Sequence, residues 1–388
     1  MSKTAADPTR KIAVVVPKYG LAGGAEQFAA SLTERLAGST PYEFHVFAHR
    51  WRIQPGSPVL FHRLPERRWP RFLRPWAFAK AVERALRTDH FDLVHSHDRI
   101  FRADVFSLHC TPHRTWVRDV RAKIPSLFDR VMIGVERRMV SGNPSATFLP
   151  VSSLSADLFH REYPDAKGHW KIMPPGVDYA RFSGPDRDTC RREICARHDI
   201  DRGAFVVLFV GMNFEHKGLD TVMEAVAKAS RQRIVAKFHL LVVGKGNIGK
   251  YRTQAARLGL ASSVTFAGAI TSDLERYYRA ADCLMLLSAF DTFGMVVLEA
   301  LAADLPVIIS AEVGARDVVE DEHDGFIVQD REDGHAVARA LIAIASVERR
   351  SAGTKSSFAK VRQHDWSARA EEIGLIYDSL MNPTCRDG

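Results

Sequence analysis

Short apolar runs alternate with amphipathic segments along almost the whole chain of 388 residues. Residues 12–17, IAVVVP, form one such run, and residues 25–37, with apolar side chains at helical spacing, follow it after three glycines. Runs this short and this apolar are typical of strands buried on both faces of a parallel sheet. The same order recurs in the second half, in AFVVLFVG, FHLLVVG, VTFAG, CLMLLS, LPVIIS and GFIV. The alternation predicts an α/β fold with two Rossmann-like, doubly wound domains.

A boundary between the two series is predicted at residues 174–182, PPGVDYARF, where two prolines and a glycine end a strand. The charge balance also changes sign there. Residues 1–177 carry 27 Lys and Arg against 16 Asp and Glu, whereas the rest of the chain carries 27 against 30. We expect an N-terminal domain of residues 1–177, a second domain of residues 178–365, and a helix within residues 366–388 that crosses back to the first domain.

Several classes of protein are excluded by composition. No stretch approaches the roughly 20 apolar residues that span a bilayer, and the N-terminal MSKTAADPTRK lacks the apolar centre of a secretory signal. The five cysteines are scattered and odd in number, and no His or Cys cluster has zinc-ligand spacing. We therefore expect a cytoplasmic protein that binds no structural metal.

The positive charge of the first half is dense between Arg63 and Arg74, where five arginines interleave with Trp69 and Phe72. Such a surface attracts phosphorylated substrates, nucleic acid or an anionic membrane face. The amphipathic aromatics favour a membrane interface, while a solvated basic face that binds nothing is the alternative. Because no RNA- or DNA-binding signature accompanies the arginines, no nucleic-acid partner is expected.

Two features of the first half are candidates for ligand contact. The loop from Lys18 to Gly24 is not GxGxxG, and about 20 residues further on, at His45, the chain lacks the acidic residue of an NAD site. Gly23 and Gly24 would let backbone N–H groups approach an anion or a sugar, although a simple tight turn explains them equally well. His109 ends a predicted strand and points into any cleft above the sheet, with a structural histidine as the alternative.

Lys217 follows the predicted strand VVLFVG and precedes Gly218, which opens a helix. A cation at a helix N-terminus opposes the helix dipole, but an anion bound by both the lysine and the helix N–H groups reverses that sign. We predict that a diphosphate binds here and that His216 is a possible second donor.

The segment around Asp291 carries the strongest signal. Asp291 follows the predicted strand CLMLLS, and the backbone N–H groups of Thr292, Phe293 and Gly294 are predicted to face a diphosphate at a helix start. Glu299 lies further along that helix among apolar neighbours. A buried carboxylate needs a hydrogen-bond donor, which a ribose diol would supply; an internal Arg or Lys is the alternative.

Together these segments resemble the retaining family-4 glycosyltransferases of the GT-B fold. The resemblance runs along nearly the whole chain: the glycine loop, His109, PPGVD, VG-x5-KG, VxFAG, and the block from Asp291 to Glu299 followed by EALAADLPVI. VGMNFEHKGLDTVMEAVA and MPPGV are most similar to bacterial lipopolysaccharide core glucosyltransferases. The resemblance implies two Rossmann-like domains facing a central cleft. It also implies metal-independent transfer of a hexose, with glucose from UDP-glucose as the expected donor sugar, to a lipopolysaccharide core or similar glycolipid.

The resemblance assigns catalytic roles to Asp291, His109 and Lys217. It implies no cofactor, because the nucleotide sugar is a substrate. Contacts with the donor would be made by a wider set: the diphosphate by Lys217, His216, Thr292, Phe293, Gly294, Gly23 and Gly24, the ribose by Glu299, and the sugar by Asp291 and His109.

The chain departs from the family pattern at two positions near this site. Members usually have Glu where this chain has Asp291, which shortens the reach by one methylene, and many have Arg where this chain has Met212. Two other functions stay open from the sequence. One is a nucleotide-sugar epimerase of the same architecture, and the other is an inactive nucleotide-sugar-binding protein.

Overall fold

The computed structural model describes residues 10–21, 23–53, 55–67, 69–232, 237–270, 272–346 and 357–382. The chain divides into two compact units. Unit 1 is Met1–Gly176 with Trp366–Gly388, and unit 2 is Val177–Asp365. Each unit is built around its own parallel sheet.

Unit 1 contains nine strands in chain order: β1 (Lys11–Val15), β2 (Lys18–Tyr19), β3 (Glu43–Ala48), β4 (Arg50–Trp51), β5 (Leu60–Arg63), β6 (Leu93–Ser96), β7 (Val105–Leu108), β8 (Thr147–Pro150) and β9 (His169–Trp170). Seven of them form a parallel sheet in the order β5-β3-β1-β6-β7-β8-β9, and β2 pairs with β4 separately. In β1 the side chains from Ile12 to Val15 are at most 1% exposed, as expected for a strand covered on both faces.

The helices of unit 1 cover this sheet. They are α1 (Gly24–Ser39), α2 (Arg74–Ala85), α3 (His113–Thr115), α4 (Leu127–Ser141) and α5 (Ser153–Glu162), with the C-terminal helix α14 (Trp366–Met381). A 3-10 turn at Arg71–Leu73 precedes α2, and a π-helical turn at Trp116–Val120 follows α3. Helix α14 belongs to this unit because it packs against α1 and because the Tyr377 hydroxyl bonds to Nδ1 of His95 at 2.6 Å.

Unit 2 contains a six-stranded parallel sheet in the order β12-β11-β10-β13-β14-β15. Its strands are β10 (Phe205–Met212), β11 (Phe238–Lys245), β12 (Val264–Gly268), β13 (Cys283–Leu286), β14 (Val307–Ser310) and β15 (Gly325–Val328). Its helices are α6 (Tyr179–Ser183), α7 (Arg187–His198), α8 (Leu219–Arg231), α9 (Ile248–Leu258), α10 (Leu274–Ala280), α11 (Met295–Ala302), α12 (Gly334–Ala345) and α13 (Ser357–Arg362), with a 3-10 turn at Gly314–Asp317.

The strand order of unit 2 fixes where a ligand can bind. Strand β10 is flanked by β11 on one side and by β13 on the other, so the direction of the connections reverses between β10 and β13. Such a switch point leaves a crevice at the carboxyl ends of the two strands, and ligands of open α/β sheets bind there. Lys217 follows β10, and Asp291 follows β13.

The prediction of an α/β fold with two Rossmann-like domains is confirmed. Within the described ranges, no helix combines the length and the apolar character needed to cross a membrane.

Candidate active site

The loop between β10 and α8 lies close against the end of β13. Gly218 caps α8 with φ of +75°, and a Cβ atom at this position would lie 1.9 Å from the carbonyl oxygen of Leu287. Only glycine has both the freedom for this backbone conformation and the space for this approach. The backbone N–H of Ala289 also donates to the carbonyl of His216 at 3.3 Å. The two strand ends are therefore joined at the switch point.

Lys217 and Asp291, which lie 74 positions apart in sequence, form an ion pair at this point. Nζ of Lys217 contacts Oδ2 of Asp291, and the two side chains are 25% and 12% exposed. The aliphatic part of Lys217 lies over Gly211, where a Cβ atom would be 3.1 Å from its Cγ. The ammonium group is thereby held at the carboxyl edge of the sheet, next to the start of α8.

Backbone contacts fix the position of Asp291. Its N–H donates to the carbonyl of Glu312 at 2.9 Å, and its own carbonyl accepts from the N–H of Gly314 at 2.9 Å. Its Oδ1 accepts from the N–H of Phe293 at 3.3 Å. The sequence prediction directs this N–H at a diphosphate, whereas in the structure a carboxylate two residues earlier accepts its hydrogen bond. Thr292 is half-buried beside it.

Helix α11 begins directly after this loop. Gly294 is its N-cap residue and is buried against Val313 and Leu286. The structure thus places Asp291, Gly294 and the start of α11 beside Lys217, on one edge of one sheet.

Glu299 finds its hydrogen-bond donor inside the protein. The hydroxyl of Tyr278 in α10 donates to its Oε2 at 2.6 Å. Burial raises the pKa of Glu299, which the Tyr278 hydrogen bond and the charge of Arg181 oppose. Neither a ribose diol nor a direct Arg or Lys partner is needed to satisfy that oxygen.

His216 is half-buried beside the ion pair. Burial is the largest cause that lowers its pKa, and the charge of Lys217 lowers it further. The imidazole is therefore neutral at pH 7. It can donate one hydrogen bond to an anion, but it adds no positive charge.

The predicted residues of unit 1 lie at the carboxyl edge of its own sheet. His109 follows β7, and its Nε2 lies 3.1 Å from Nδ1 of His97. Its ring meets Phe28 edge to face at 4.5 Å, and burial lowers its pKa to about 4. His97 is itself buried, and its Nε2 has no hydrogen-bond partner in the structure as described. A neutral pair of imidazoles therefore follows β6 and β7.

The glycine loop leads into α1. Gly23 has φ of +144°, a backbone conformation that favours glycine, and a Cβ atom there would lie 2.0 Å from Oε2 of the flexible Glu26 side chain. A Cβ atom at Gly24 would meet nothing within 4 Å. The start of α1 thus has open space at one glycine and a carboxylate at the other.

Two of these residues were not among the candidates found in the sequence. Tyr278 lies in α10 and Glu312 follows β14, and no spacing links either to Lys217 or Glu299. His97 ends the run FDLVHSH, which gives it a position but no partner. In the part of the chain that the structure describes, no three His, Cys, Asp or Glu side chains are placed to hold a metal ion.

Comparison with protein-family models divides the chain as its two sheets do. Residues 22–181 match the model described as Glycosyltransferase Family 4, and residues 191–356 match the model described as Glycosyl transferases group 1. The chain therefore consists of a family 4 glycosyltransferase domain followed by a group 1 glycosyltransferase domain. Both of its units thus match glycosyltransferase family models.

Two curated relatives are both named D-inositol 3-phosphate glycosyltransferase. The one from Geodermatophilus obscurus is 33% identical over 52% of this chain, which spans 48% of that relative, or about half of its length. The one from Acidothermus cellulolyticus is 28% identical, and the match covers 94% of this chain and 88% of that relative.

Solved structures show the same fold. Sucrose-phosphate synthase from Thermosynechococcus elongatus matches with a TM-score of 0.75 at 21% identity, covering 96% of this chain and all of that one. WaaG, a glycosyltransferase involved in lipopolysaccharide biosynthesis, matches with a TM-score of 0.74 at 20% identity, covering 94% and 99%. Anabaena HepE in complex with UDP-glucose matches with a TM-score of 0.71 at 18% identity, covering 95% and 99%. The prediction of the GT-B fold is confirmed.

Proposed function

We propose that this chain transfers a hexose from a UDP-sugar with retention of configuration and without a metal ion. The observation that carries the proposal is the position of Lys217. Its ammonium group lies where α8 and α11 begin, at the switch point of the second sheet. The bound UDP-glucose in a structure of the same fold supports a UDP-sugar donor.

The chemistry that this arrangement offers is stabilisation of a leaving diphosphate. Helix N-termini present backbone N–H groups and a partial positive charge to an anion. Lys217 adds a full charge, and neutral His216 adds one hydrogen-bond donor. Groups that are already fixed where negative charge develops are the largest single source of catalysis in many enzymes. In the proposed reaction the acceptor hydroxyl attacks the anomeric carbon from the face that the diphosphate leaves.

Two carboxylates complete the proposed donor site. Oε1 of Glu299 would accept a hydrogen bond from a ribose hydroxyl, while Tyr278 holds the other oxygen in place. Asp291 would accept hydrogen bonds from hydroxyls of the transferred sugar. In unit 1, His109, Gly23 and Gly24 are proposed to contact the sugar, the diphosphate and the acceptor.

A glycolipid of the lipopolysaccharide core type is the first acceptor that we propose. It is supported by the similarity to WaaG and by the sequence resemblance to core glucosyltransferases. The basic balance of residues 1–177 suits a phosphorylated core. The exposed Trp69, within the arginine-rich segment, is proposed to hold the enzyme on an anionic membrane from the cytoplasmic side.

A phosphorylated sugar or polyol is the second candidate acceptor. It is favoured by the names of the relatives, which act on D-inositol 3-phosphate, and by the fold of sucrose-phosphate synthase. The same basic surface would bind the phosphate of such a small acceptor. Transfer assays with both acceptor classes separate the two.

A thermal-shift screen of nucleotide sugars tests the donor. A ligand that binds only the folded state increases the free energy of unfolding, by about 2.7 kcal/mol at one hundred times its Kd. The melting temperature rises as a result. We expect UDP-hexoses to raise it more than GDP-hexoses do. If no nucleotide sugar shifts the transition, the proposed donor site is wrong.

Lys217→Ala tests the role of the ammonium group. We expect transfer to fall at least about 100-fold, as on loss of one strong donor to a developing charge. EDTA should leave the activity of the wild type unchanged. Near-normal turnover of the variant would contradict the assignment.

An epimerised sugar from donor incubated alone would identify an epimerase instead, and tight binding without any reaction would identify an inactive binding protein.

A further inference from the structure

The ion pair between Lys217 and Asp291 occupies both of the groups that the proposed function assigns to the donor. The proposed site needs the ammonium group for a diphosphate and the carboxylate for sugar hydroxyls. In the structure the two neutralise each other. Donor binding must therefore separate them.

The two partners differ in how far they can move. Asp291 is held by backbone bonds to Glu312 and Gly314, and its Oδ1 accepts from the N–H of Phe293. Lys217 carries its charge on a flexible four-carbon stem, which lies over Gly211. Separation of the pair therefore moves the ammonium group and leaves the carboxylate where it is, 12% exposed.

An intact donor compensates both partners. Its diphosphate takes the ammonium group, and its sugar hydroxyls donate to the carboxylate. A nucleoside diphosphate without a sugar compensates only the lysine. The mostly buried carboxylate of Asp291 then has no counter-charge and lies close to the negative charge of the diphosphate. Removing one partner of a buried ion pair in this way is strongly unfavourable, because the remaining charge stays buried and uncompensated.

We propose that the Lys217–Asp291 pair selects the intact nucleotide sugar against the nucleoside diphosphate that remains after transfer. This selection rests on the proposed function, because it needs a diphosphate at Lys217 and a sugar at Asp291. Its consequence is weak inhibition by the spent nucleotide.

Isothermal titration of UDP and of UDP-glucose, without acceptor, tests the proposal in the wild type and in Asp291→Asn. If the pair holds Lys217 about 90% of the time, its loss should tighten UDP binding about tenfold. Binding of UDP-glucose should change less than about threefold, or should weaken, because the variant also loses the sugar contact. Equal tightening of both probes, or no change in UDP binding, overturns the proposal. Asp291→Ser serves the same purpose if the Asn variant does not fold.

A double-mutant cycle separates release of Lys217 from simple removal of negative charge. In the background of Lys217→Ala, Asp291→Asn should no longer tighten UDP binding, because the lysine that it releases is absent. If it tightens UDP binding in that background as much as in the wild type, long-range repulsion is the cause and the proposal fails. Failure of the wild type to bind either probe would instead contradict the proposed donor.

Discussion

Glu299, which we propose binds the ribose, is unfavourable for folding in its charged form. Its carboxylate is desolvated in α11, which raises its pKa above the usual 4.5. A carboxyl group whose pKa is raised on folding stabilises the protein fully below pH 4.5. That contribution is lost as pH rises through the raised value. At neutral pH the charged form depends on the hydroxyl of Tyr278.

Tyr278→Phe removes that hydroxyl, so we expect a loss of about 1–3 kcal/mol in the free energy of unfolding at pH 8. The loss should be smaller at pH 4, where the carboxyl group is protonated. In the background of Glu299→Gln the same substitution should cost less, because no charge is left without a donor. Urea unfolding followed by circular dichroism measures the wild type and the three variants. An unchanged midpoint for Tyr278→Phe at pH 8 would refute this account.

At the scale of residues, the sequence predicts positions better than it predicts partners. Lys217 and Asp291 could be placed at strand ends because each follows an apolar run and precedes a glycine. Their ion pair could not be predicted, because it depends on β10 and β13 becoming neighbours although β11 and β12 separate them in sequence. The Tyr278 contact with Glu299 joins two different helices. The spacing of residues within one helix does not indicate which residues of another helix it will contact.

At the scale of elements, the start of α8 leaves no space for a side chain. Gly218 combines a left-handed backbone with an approach of 1.9 Å between an added Cβ atom and the Leu287 carbonyl oxygen. Gly259, which caps the end of α9, has nearly the same conformation, with φ of +78°, but nothing within 4 Å. The two glycines therefore separate backbone strain from steric overlap.

Gly259→Ala should cost about 1–2 kcal/mol, the usual penalty for a left-handed residue with a Cβ atom. Gly218→Ala should cost clearly more and should also weaken UDP binding, since the loop that carries Lys217 must shift. Urea unfolding and UDP titration of both variants give the comparison. Equal effects on stability, with unchanged UDP binding in both variants, would mean that the loop accommodates a Cβ atom at position 218 and would contradict this account.

The sequence predicts elements well where they carry a period. The apolar runs of β1, β10 and β13 are buried on both faces, and such runs are identifiable without an alignment. The two-residue strands β2 and β4 have no such signal, because two residues cannot define a period. They pair only because their flanking segments bring them together.

At the scale of the molecule, unit 1 contains a cluster of histidines that is expected to respond to acid. His95 and His97 are buried and the half-buried His109 stacks on His97; desolvation lowers the pKa of His95 to about 3 and that of His109 to about 4. Stability that depends on neutral histidines is complete above pH 6.5 and is lost as pH falls towards the lowered values. All six tryptophans lie in unit 1, so their fluorescence reports on this unit.

Urea unfolding followed by tryptophan fluorescence should therefore show a lower midpoint at pH 5 than at pH 7.5. For His109, the difference between 6.5 and about 4 corresponds to on the order of 3 kcal/mol, of which about 2 kcal/mol is lost by pH 5. His109→Gln should reduce the dependence on pH, whereas His90→Gln, at an exposed site, should not. A midpoint that is the same at both pH values in the wild type would mean that these imidazoles are hydrated.

The charge asymmetry of the molecule leads to a prediction about membranes. Trp69 is 82% exposed, and Arg67 and Arg71 beside it are exposed as well. Near an anionic membrane each arginine contributes about 1 kcal/mol, within a Debye length, and an interfacial tryptophan adds a contribution that salt does not screen. We expect sedimentation with anionic vesicles at low salt, falling steeply as NaCl is raised, and little sedimentation with neutral vesicles.

Arg67→Glu with Arg71→Glu should reduce the partition coefficient at least tenfold. Arg252→Glu with Arg257→Glu, which makes the same change of charge on exposed positions of α9, should have little effect. Because both double variants have the same net charge, equal losses would mean that total charge and not this surface controls binding. Sedimentation that does not depend on salt in the wild type would rule out the electrostatic part of the attachment.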